Sequence, residues 1–293
     1  MRQFHIRAVL QLGFWCVICM LAAAAYGQTG DANKRSTAQA EVTLLATQLE
    51  IPGLKRSRQI RLYLPPGYAT TTRRYPVLYM HDGQNLFDDA TAYAGEWHVD
   101  ETLNALAYAG KLELIVVGID NGLGKRLTEL NPWRNRRGEA PEGKEYLEFL
   151  VTVLKPLIDR QYRTKADRDN TAIMGSSMGG LISHYALVHY PDVFSKAGIF
   201  SPAYQIAPEG FDYFATHRPS ADARLYFLAG EEEGGNMVPD TKRVVGNYSN
   251  TNLDNPKVSL KLVPGAKHNE GFWSAEFEQA VLWLFASDQS PRK

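Results

Sequence analysis

Thr171-Ala172-Ile173-Met174-Gly175-Ser176-Ser177-Met178-Gly179-Gly180-Leu181-Ile182-Ser183-His184-Tyr185-Ala186-Leu187 is the stretch that decides the fold. It opens on an apolar run of strand length, Thr171–Met174, and closes on an apolar pattern of helical period beginning at Met178. Between them Gly175-Ser176-Ser177-Met178-Gly179 matches G-x-S-x-G with Ser177 at its centre, and Gly180 follows. A strand that turns abruptly into a helix needs glycine on both sides of the central serine. The backbone must bend sharply, and strand and helix must approach closely. The pattern alone is common in a chain with 24 glycines; the strand before it and the helix after it make it specific. The helix start puts the backbone N–H of Met178 and the positive end of the helix dipole beside the serine, where a developing oxyanion would be stabilised.

Outward from this turn the pattern repeats. Short apolar runs at Pro76–Met80, Glu113–Ile119, Ala197–Phe200, Arg224–Ala229 and Val258–Val263 read as buried strands. Ala94–Ala109, Gly143–Tyr162, Met178–His189, Thr241–Asn250 and Ser274–Phe285 read as helices. Before them, Val42–Leu49 and Gln59–Leu64 look like two strands around a turn at Pro52-Gly53. Apolar strands alternating with helices predict an α/β fold: a mostly parallel central sheet with helices on both faces and an antiparallel start. Ligand sites in such sheets lie at the carboxyl ends of the strands. The stretch Tyr204–Ala221 is the only room for a cap, and it is short, so no large cap domain is expected.

Composition sets the bounds. The chain has 293 residues, 44% hydrophobic and 22% charged, with 32 basic and 32 acidic side chains. A balanced charge offers no basic face, so nucleic acid is not an expected partner. A mean hydropathy of −0.30 excludes a polytopic membrane protein. The N-terminus differs from the rest. Arg2 and Arg7 precede an apolar run from Ala8 to Ala25, broken by Gln11, which ends in Ala25-Tyr26-Gly27. This reads as a signal peptide, residues 1–27, cleaved before Gln28, of a bacterial protein exported to the periplasm or secreted. Residues 28–41 then form a flexible leader and 42–293 one catalytic domain, with no stable membrane association after cleavage. Both cysteines, Cys16 and Cys19, fall in the signal. The remaining chain therefore has no thiol nucleophile, disulfide or Cys-ligated metal. It keeps 30 basic against 32 acidic side chains, a net −2.

A serine nucleophile needs a general base and a carboxylate to orient it. After an elbow of this kind the partners follow in the order acid, then histidine. His184 and His189 lie on the helix of the elbow itself, and His217 precedes the strand that should supply the acid. His268 remains, in a loop between a strand end and the last helix. The acid should leave Leu225–Ala229, where Gly230-Glu231-Glu232-Glu233 follows. Glu233 is preferred, because the turn at Gly230 uses the intervening positions; Glu231 and Asp240 are alternates. A second oxyanion donor belongs in the loop His81-Asp82-Gly83-Gln84, with the Gln84 N–H as candidate and His81 and Asp82 as loop-fixing side chains. Phe87, Trp97, Trp133, Tyr204 and Trp273 form the aromatic set from which a substrate pocket could be built, with Arg126 and Glu129 at the end of the strand that stops at Asp120. Gly122-Leu123-Gly124-Lys125-Arg126 lacks the spacing and the Ser/Thr of a phosphate loop. The chemistry needs neither metal nor cofactor.

These stretches resemble the "Putative esterase" family of α/β-hydrolases. Its members include enterobactin esterases, feruloyl and acetylxylan esterases, S-formylglutathione hydrolase and mycolyltransferase antigens. The carrying residues are Tyr75–Gln84, Gly95-Glu96-Trp97, Gly175–Gly180, Ser201-Pro202, Ala229–Glu233, Asn236–Asp240 and Lys267–Glu270. The resemblance implies an α/β-hydrolase fold, Ser177 as nucleophile, His268 as base, Glu233 as acid and an open, shallow site. The expected activity is hydrolysis of carboxylic esters through an acyl-enzyme. The substrate class is a small-molecule or carbohydrate ester: carbohydrate-linked acyl or phenolic esters, or siderophore-type lactones. Acyl transfer by the same residues and a non-catalytic binding role on a hydrolase scaffold are the alternatives.

Overall fold

Five apolar strands side by side form the middle of the molecule: β5 (Val77–His81), β6 (Ile115–Ile119), β7 (Thr171–Ser176), β8 (Lys196–Phe200) and β9 (Arg224–Gly230). Apart from Lys196 every residue in them is buried, as expected of parallel strands covered on both faces. The computed structural model describes residues 34–135, 137–248 and 255–286. The proposed signal peptide and residues 28–33 of the leader lie outside them. Arg35–Lys293 clusters as one compact unit. Its sheet has eight strands in the order β1-β4-β6-β5-β7-β8-β9-β10, adding β1 (Val42–Leu44), β4 (Ile60–Tyr63) and β10 (Lys257–Val263). β1 and β4 pair antiparallel, as do β4 and β6; the remaining pairs are parallel. β2 (Leu49–Ile51) and β3 (Arg56–Arg58) form a separate hairpin.

Alternation along each strand splits the core into two layers. Tyr79, Val117, Ile173 and Ile199 face one side, where three helical segments run on from one another: α3 (Gly143–Phe149), a π-helical turn at Leu150–Leu154, and α4 (Lys155–Gln161). The same layer packs α5 (Met178–His189), α6 (Glu209–Thr216) and α7 (Met237–Gly246). Leu78, Met80, Val116, Met174 and Leu228 face the other side, against α1 (Val99–Tyr108) and α8 (Glu270–Leu284). A short helix, α2 (Arg126–Glu129), follows β6. Among the described residues no helix is long and apolar enough to cross a membrane.

The expected elements occur with shifted ends. Val42–Leu49 is not one strand: it breaks after Leu44, and its last residue, Leu49, opens the hairpin. The helix expected from Ala94 begins at Val99, because Gly95 (φ 130°) and His98 (φ 51°) take left-handed conformations that no helix continues through. Tyr204–Ala221 contains α6, whose Phe214 is fully buried. That segment is therefore part of the core rather than a lid.

Candidate active site

The carboxyl ends of the parallel strands carry every residue of the site. β7 runs straight into Ser177, whose backbone sits at φ 59°, ψ −117°, and α5 starts at the next residue. That conformation costs an L-residue about 1–3 kcal/mol and survives only where neighbours hold it. Here the Ser177 N–H donates to the Phe200 carbonyl at 2.9 Å, and its carbonyl accepts from Leu181 at 3.0 Å and Ala203 at 3.1 Å. The flanking glycines are required by space. A Cβ on Gly175 would lie 2.9 Å from the Gly179 backbone, and one on Gly180 would lie 2.6 Å from the Phe200 carbonyl oxygen. Ser177 is partly exposed, at the start of a helix whose first N–H groups have no helical acceptor.

From the end of β9 and the loop after β10 come a carboxylate and an imidazole in contact. His268 Nδ1 lies 2.6 Å from Glu233 Oε2. The Glu233 carboxylate is fully buried, while the His268 side chain is 35% exposed. Its other oxygen, Oε1, accepts from the Gly230 N–H at 2.5 Å and from Ser201 Oγ at 2.7 Å. Ser201, fully buried with φ 44°, in turn accepts from Trp273 Nε1 at 2.8 Å. The Trp273 ring meets the imidazole edge-on at 4.9 Å. A carboxylate on Nδ1 selects the tautomer with its proton there, leaving Nε2 as the basic nitrogen. Ser177 Oγ and His268 Nε2 share no hydrogen bond among the described residues; such bonds often tighten only when substrate is bound. Of the acidic alternates, Glu231 is exposed and Asp240 lies on α7.

The opposite wall follows β5. Asp82 (φ 57°) turns the chain and receives Arg126 at 2.6 and 2.8 Å and Asn121 at 2.6 Å. Burial raises the Asp82 carboxyl, but the Arg126 guanidinium more than offsets this and holds it below the usual carboxylate range. Arg126 also reaches the Ser176 carbonyl at 3.4 Å, tying this wall to the elbow. His81 Nδ1 and the Tyr146 hydroxyl share a hydrogen bond at 2.8 Å, and burial pushes the His81 pKa down to about 4. Both residues thus fix the loop. Among the described residues, neither the Gln84 nor the Met178 N–H has a hydrogen-bond acceptor. Glu270, whose carboxyl burial and Asp82 push upward, lies within the fields of Arg126 and His268.

The aromatic set disperses. Phe87 and Tyr204 are fully buried, and the Tyr204 hydroxyl meets His184 at 2.9 Å. Trp97 stacks on Phe200 at 5.6 Å in the core. Trp273 supports Ser201. Each is thus engaged in packing or hydrogen bonding. Trp133 is half-buried, edge-on to Tyr185 and Phe214. Arg126 keeps 26% of its side chain exposed, whereas Glu129 is buried in an ion pair with Arg58 at 2.6 Å. Sequence reasoning gave no role to Ser201. Its signals are its place directly after β8, at a strand end like the others, and the Ser201-Pro202 pair among the residues that carry the family resemblance.

A family model described as "Putative esterase" matches residues 51–290. With the eight-stranded sheet and the serine elbow, this defines the class as α/β hydrolases that act on ester bonds, and the chain belongs to that family. It is 27% identical over 248 residues to the uncharacterized protein YbbA of Bacillus subtilis (strain 168), spanning 80% of this chain and 95% of that one. It is 28% identical over 144 residues to the endo-1,4-beta-xylanase/feruloyl esterase of Xylanibacter ruminicola, 48% of this chain but only 19% of that protein. Among solved structures, the enterobactin esterase FES from Shigella flexneri superposes with a TM-score of 0.67 at 19% identity, over 85% of this chain and 61% of that one.

Proposed function

We propose that the protein is an exported serine esterase. Ser177 Oγ attacks the ester carbonyl, His268 takes its proton and returns it to the leaving alcohol, and Glu233 orients the imidazole and stabilises its charged form. The N–H groups of Met178 and Gln84 receive the oxyanion, and a water activated by His268 releases the acyl group. The observation that carries this reading is the 2.6 Å contact between His268 Nδ1 and the buried Glu233 carboxylate at the same sheet edge as the strained Ser177. A buried carboxylate on one imidazole nitrogen makes the other a base, and Ser177 offers a partly exposed hydroxyl on a strained strand-to-helix turn.

The substrate class is an ester of a small molecule or carbohydrate, of phenolic or siderophore-lactone type. The relatives named for feruloyl and enterobactin ester hydrolysis support it. Export rests on the apolar, small-residue-terminated N-terminus.

The test is intact mass after exposure to a fluorophosphonate, with ester hydrolysis measured beside it. Wild type should gain one adduct and Ser177→Ala none, and the variant should lose roughly 10⁴-fold or more in kcat/KM. Labelling of both, or hydrolysis that survives the substitution, refutes the nucleophile assignment. No labelling of either favours a binding role.

A further inference from the structure

A second group of chemistry-bearing side chains lies where the chain enters α1. Glu96, His98 and Glu101 bring one ligand atom each to within 4.8 Å of one another. His98 Nδ1 stands 3.4 Å from Glu96 Oε2 and 3.7 Å from Glu101 Oε1. Three ligands around a zinc ion at 2.0–2.2 Å are themselves about 3.4 Å apart in a tetrahedral site. Asp100 joins the group, its carboxyl interacting with that of Glu101.

Independent of that spacing is the state of the oxygens. Glu96, whose side chain is 1% exposed, leaves Oε1 buried without a hydrogen-bond partner among the described residues. Asp100, with no exposed surface, turns its carboxyl to that of Glu101, so that Asp100 Oδ1 and Glu101 Oε2, which have no other partner among the described residues, answer each other in a carboxyl–carboxylate hydrogen bond. Buried carboxylate oxygens are ordinarily satisfied, because desolvating them unpaired is costly. Glu96 Oε1 has no such answer, and a cation beside His98 Nδ1 and Glu101 Oε1 would supply one. The remaining oxygens are held as second-sphere partners hold metal ligands: Thr37 Oγ1 donates to Glu96 at 2.7 Å and the Gln39 N–H to Asp100 at 2.8 Å.

We infer that Glu96, His98 and Glu101, with Asp100 beside them, bind one divalent cation of the zinc type that ties the start of α1 to the segment Thr37–Gln39. The imidazole selects zinc over calcium or magnesium, which prefer oxygen donors alone. The cation is structural and takes no part in the serine chemistry. It would brace Trp97, which lies between two of the ligands, packs against Phe200 and Trp273, and accepts from Ser274 Oγ at 2.7 Å.

Protein stripped with EDTA and titrated with zinc chloride by calorimetry tests this, with thermal melts in parallel. One equivalent should bind wild type and the His268→Ala variant alike. The exposed-site His98→Ala and the Glu101→Gln variants should bind at least tenfold more weakly. Zinc at a hundredfold excess over its Kd should raise Tm by about 5 °C or more. Absence of binding to wild type overturns the proposal; it means that a protonated His98 alone answers the two glutamates. Binding that survives in His98→Ala but vanishes in His268→Ala overturns it too, by placing the metal at the other histidine. Calcium or magnesium binding as tightly as zinc overturns the choice of ion. None of these readouts depends on Ser177 being a nucleophile.

Discussion

At the residue scale the Glu233–His268 pair rests on a hydroxyl with no exposed surface. Ser201 Oγ takes the indole N–H of Trp273 and gives its own proton to Glu233, so one buried serine aligns the carboxylate that aligns His268. Ser201→Ala leaves the Trp273 N–H buried without an acceptor, at a cost of about 1–3 kcal/mol, and frees one oxygen of Glu233. We expect stability to fall by that amount in urea melts. With Ser177 as nucleophile, kcat should fall roughly tenfold with KM nearly unchanged, the pattern of a lost transition-state contribution. A wild-type kcat in a destabilised variant would confine Ser201 to a packing role. Ser177 and His268 could be singled out in the sequence by chain order, and the acid could be narrowed to Glu233 with Glu231 and Asp240 as alternates. The role of Ser201 could not, because its partners come from two other segments and only the assembled sheet edge brings them together.

At the scale of elements, the elbow is a contest between helix propensity and close packing. In an exposed helix, alanine in place of glycine stabilises by about 1 kcal/mol. At Gly180 the added Cβ would lie 2.6 Å from the Phe200 carbonyl oxygen, which is backbone and cannot give way cheaply. We therefore expect Gly180→Ala to destabilise by about 2 kcal/mol, as overpacking does, and to depress activity by shifting Ser177. A denaturation midpoint that rises in the variant would mean that α5 has room to move off β8. The helix of the elbow, Met178–His189, was legible to the residue because strand, glycines and helical period agree. Ala94–Ala109 was legible only in its second half. Its apolar spacing continues through Trp97, yet the chain there is drawn into the core by Phe200 and Trp273. α6 was not seen at all, because Pro208 and Gly210 argue locally for a loop; burial of Phe214 outweighs them.

At the scale of the whole molecule, two buried imidazoles couple folding to pH. Burial pushes His81 down to about 4 and His184 well below its usual value. Both are neutral when folded but take a proton near pH 6.5 when unfolded. A base with a depressed folded pKa contributes full stability above the unfolded value and loses it as pH falls toward the folded one. For His81 that window runs from about 6.5 to about 4, and the loss reaches about 3 kcal/mol. The buried Glu129 and half-buried Glu270 carboxyls, raised by desolvation, work in the opposite sense. The measurement is therefore a difference: urea stability of wild type minus that of His81→Asn, at pH 7 and pH 4.5. We expect it to shrink by about 2–3 kcal/mol on acidification, and a constant difference would mean that His81 titrates normally in the fold.

The amino-acid sequence by itself determined the architecture: alternating apolar strands and helices force a parallel sheet covered on both faces, and the glycine-flanked serine fixes where one strand must turn. It also narrowed the residues at the strand ends, since chain order limits which acid and histidine can follow the elbow. What only the tertiary structure decided is how those residues are used. Trp97 and Tyr204 look like pocket walls but are core, because aromatic burial on the sheet outweighs exposure at its rim. Glu233 rather than Glu231 faces His268, because the turn after β9 sends one carboxylate inward and leaves the other in solvent. Side-chain partners drawn from segments tens of residues apart are set by packing, which local pattern does not encode.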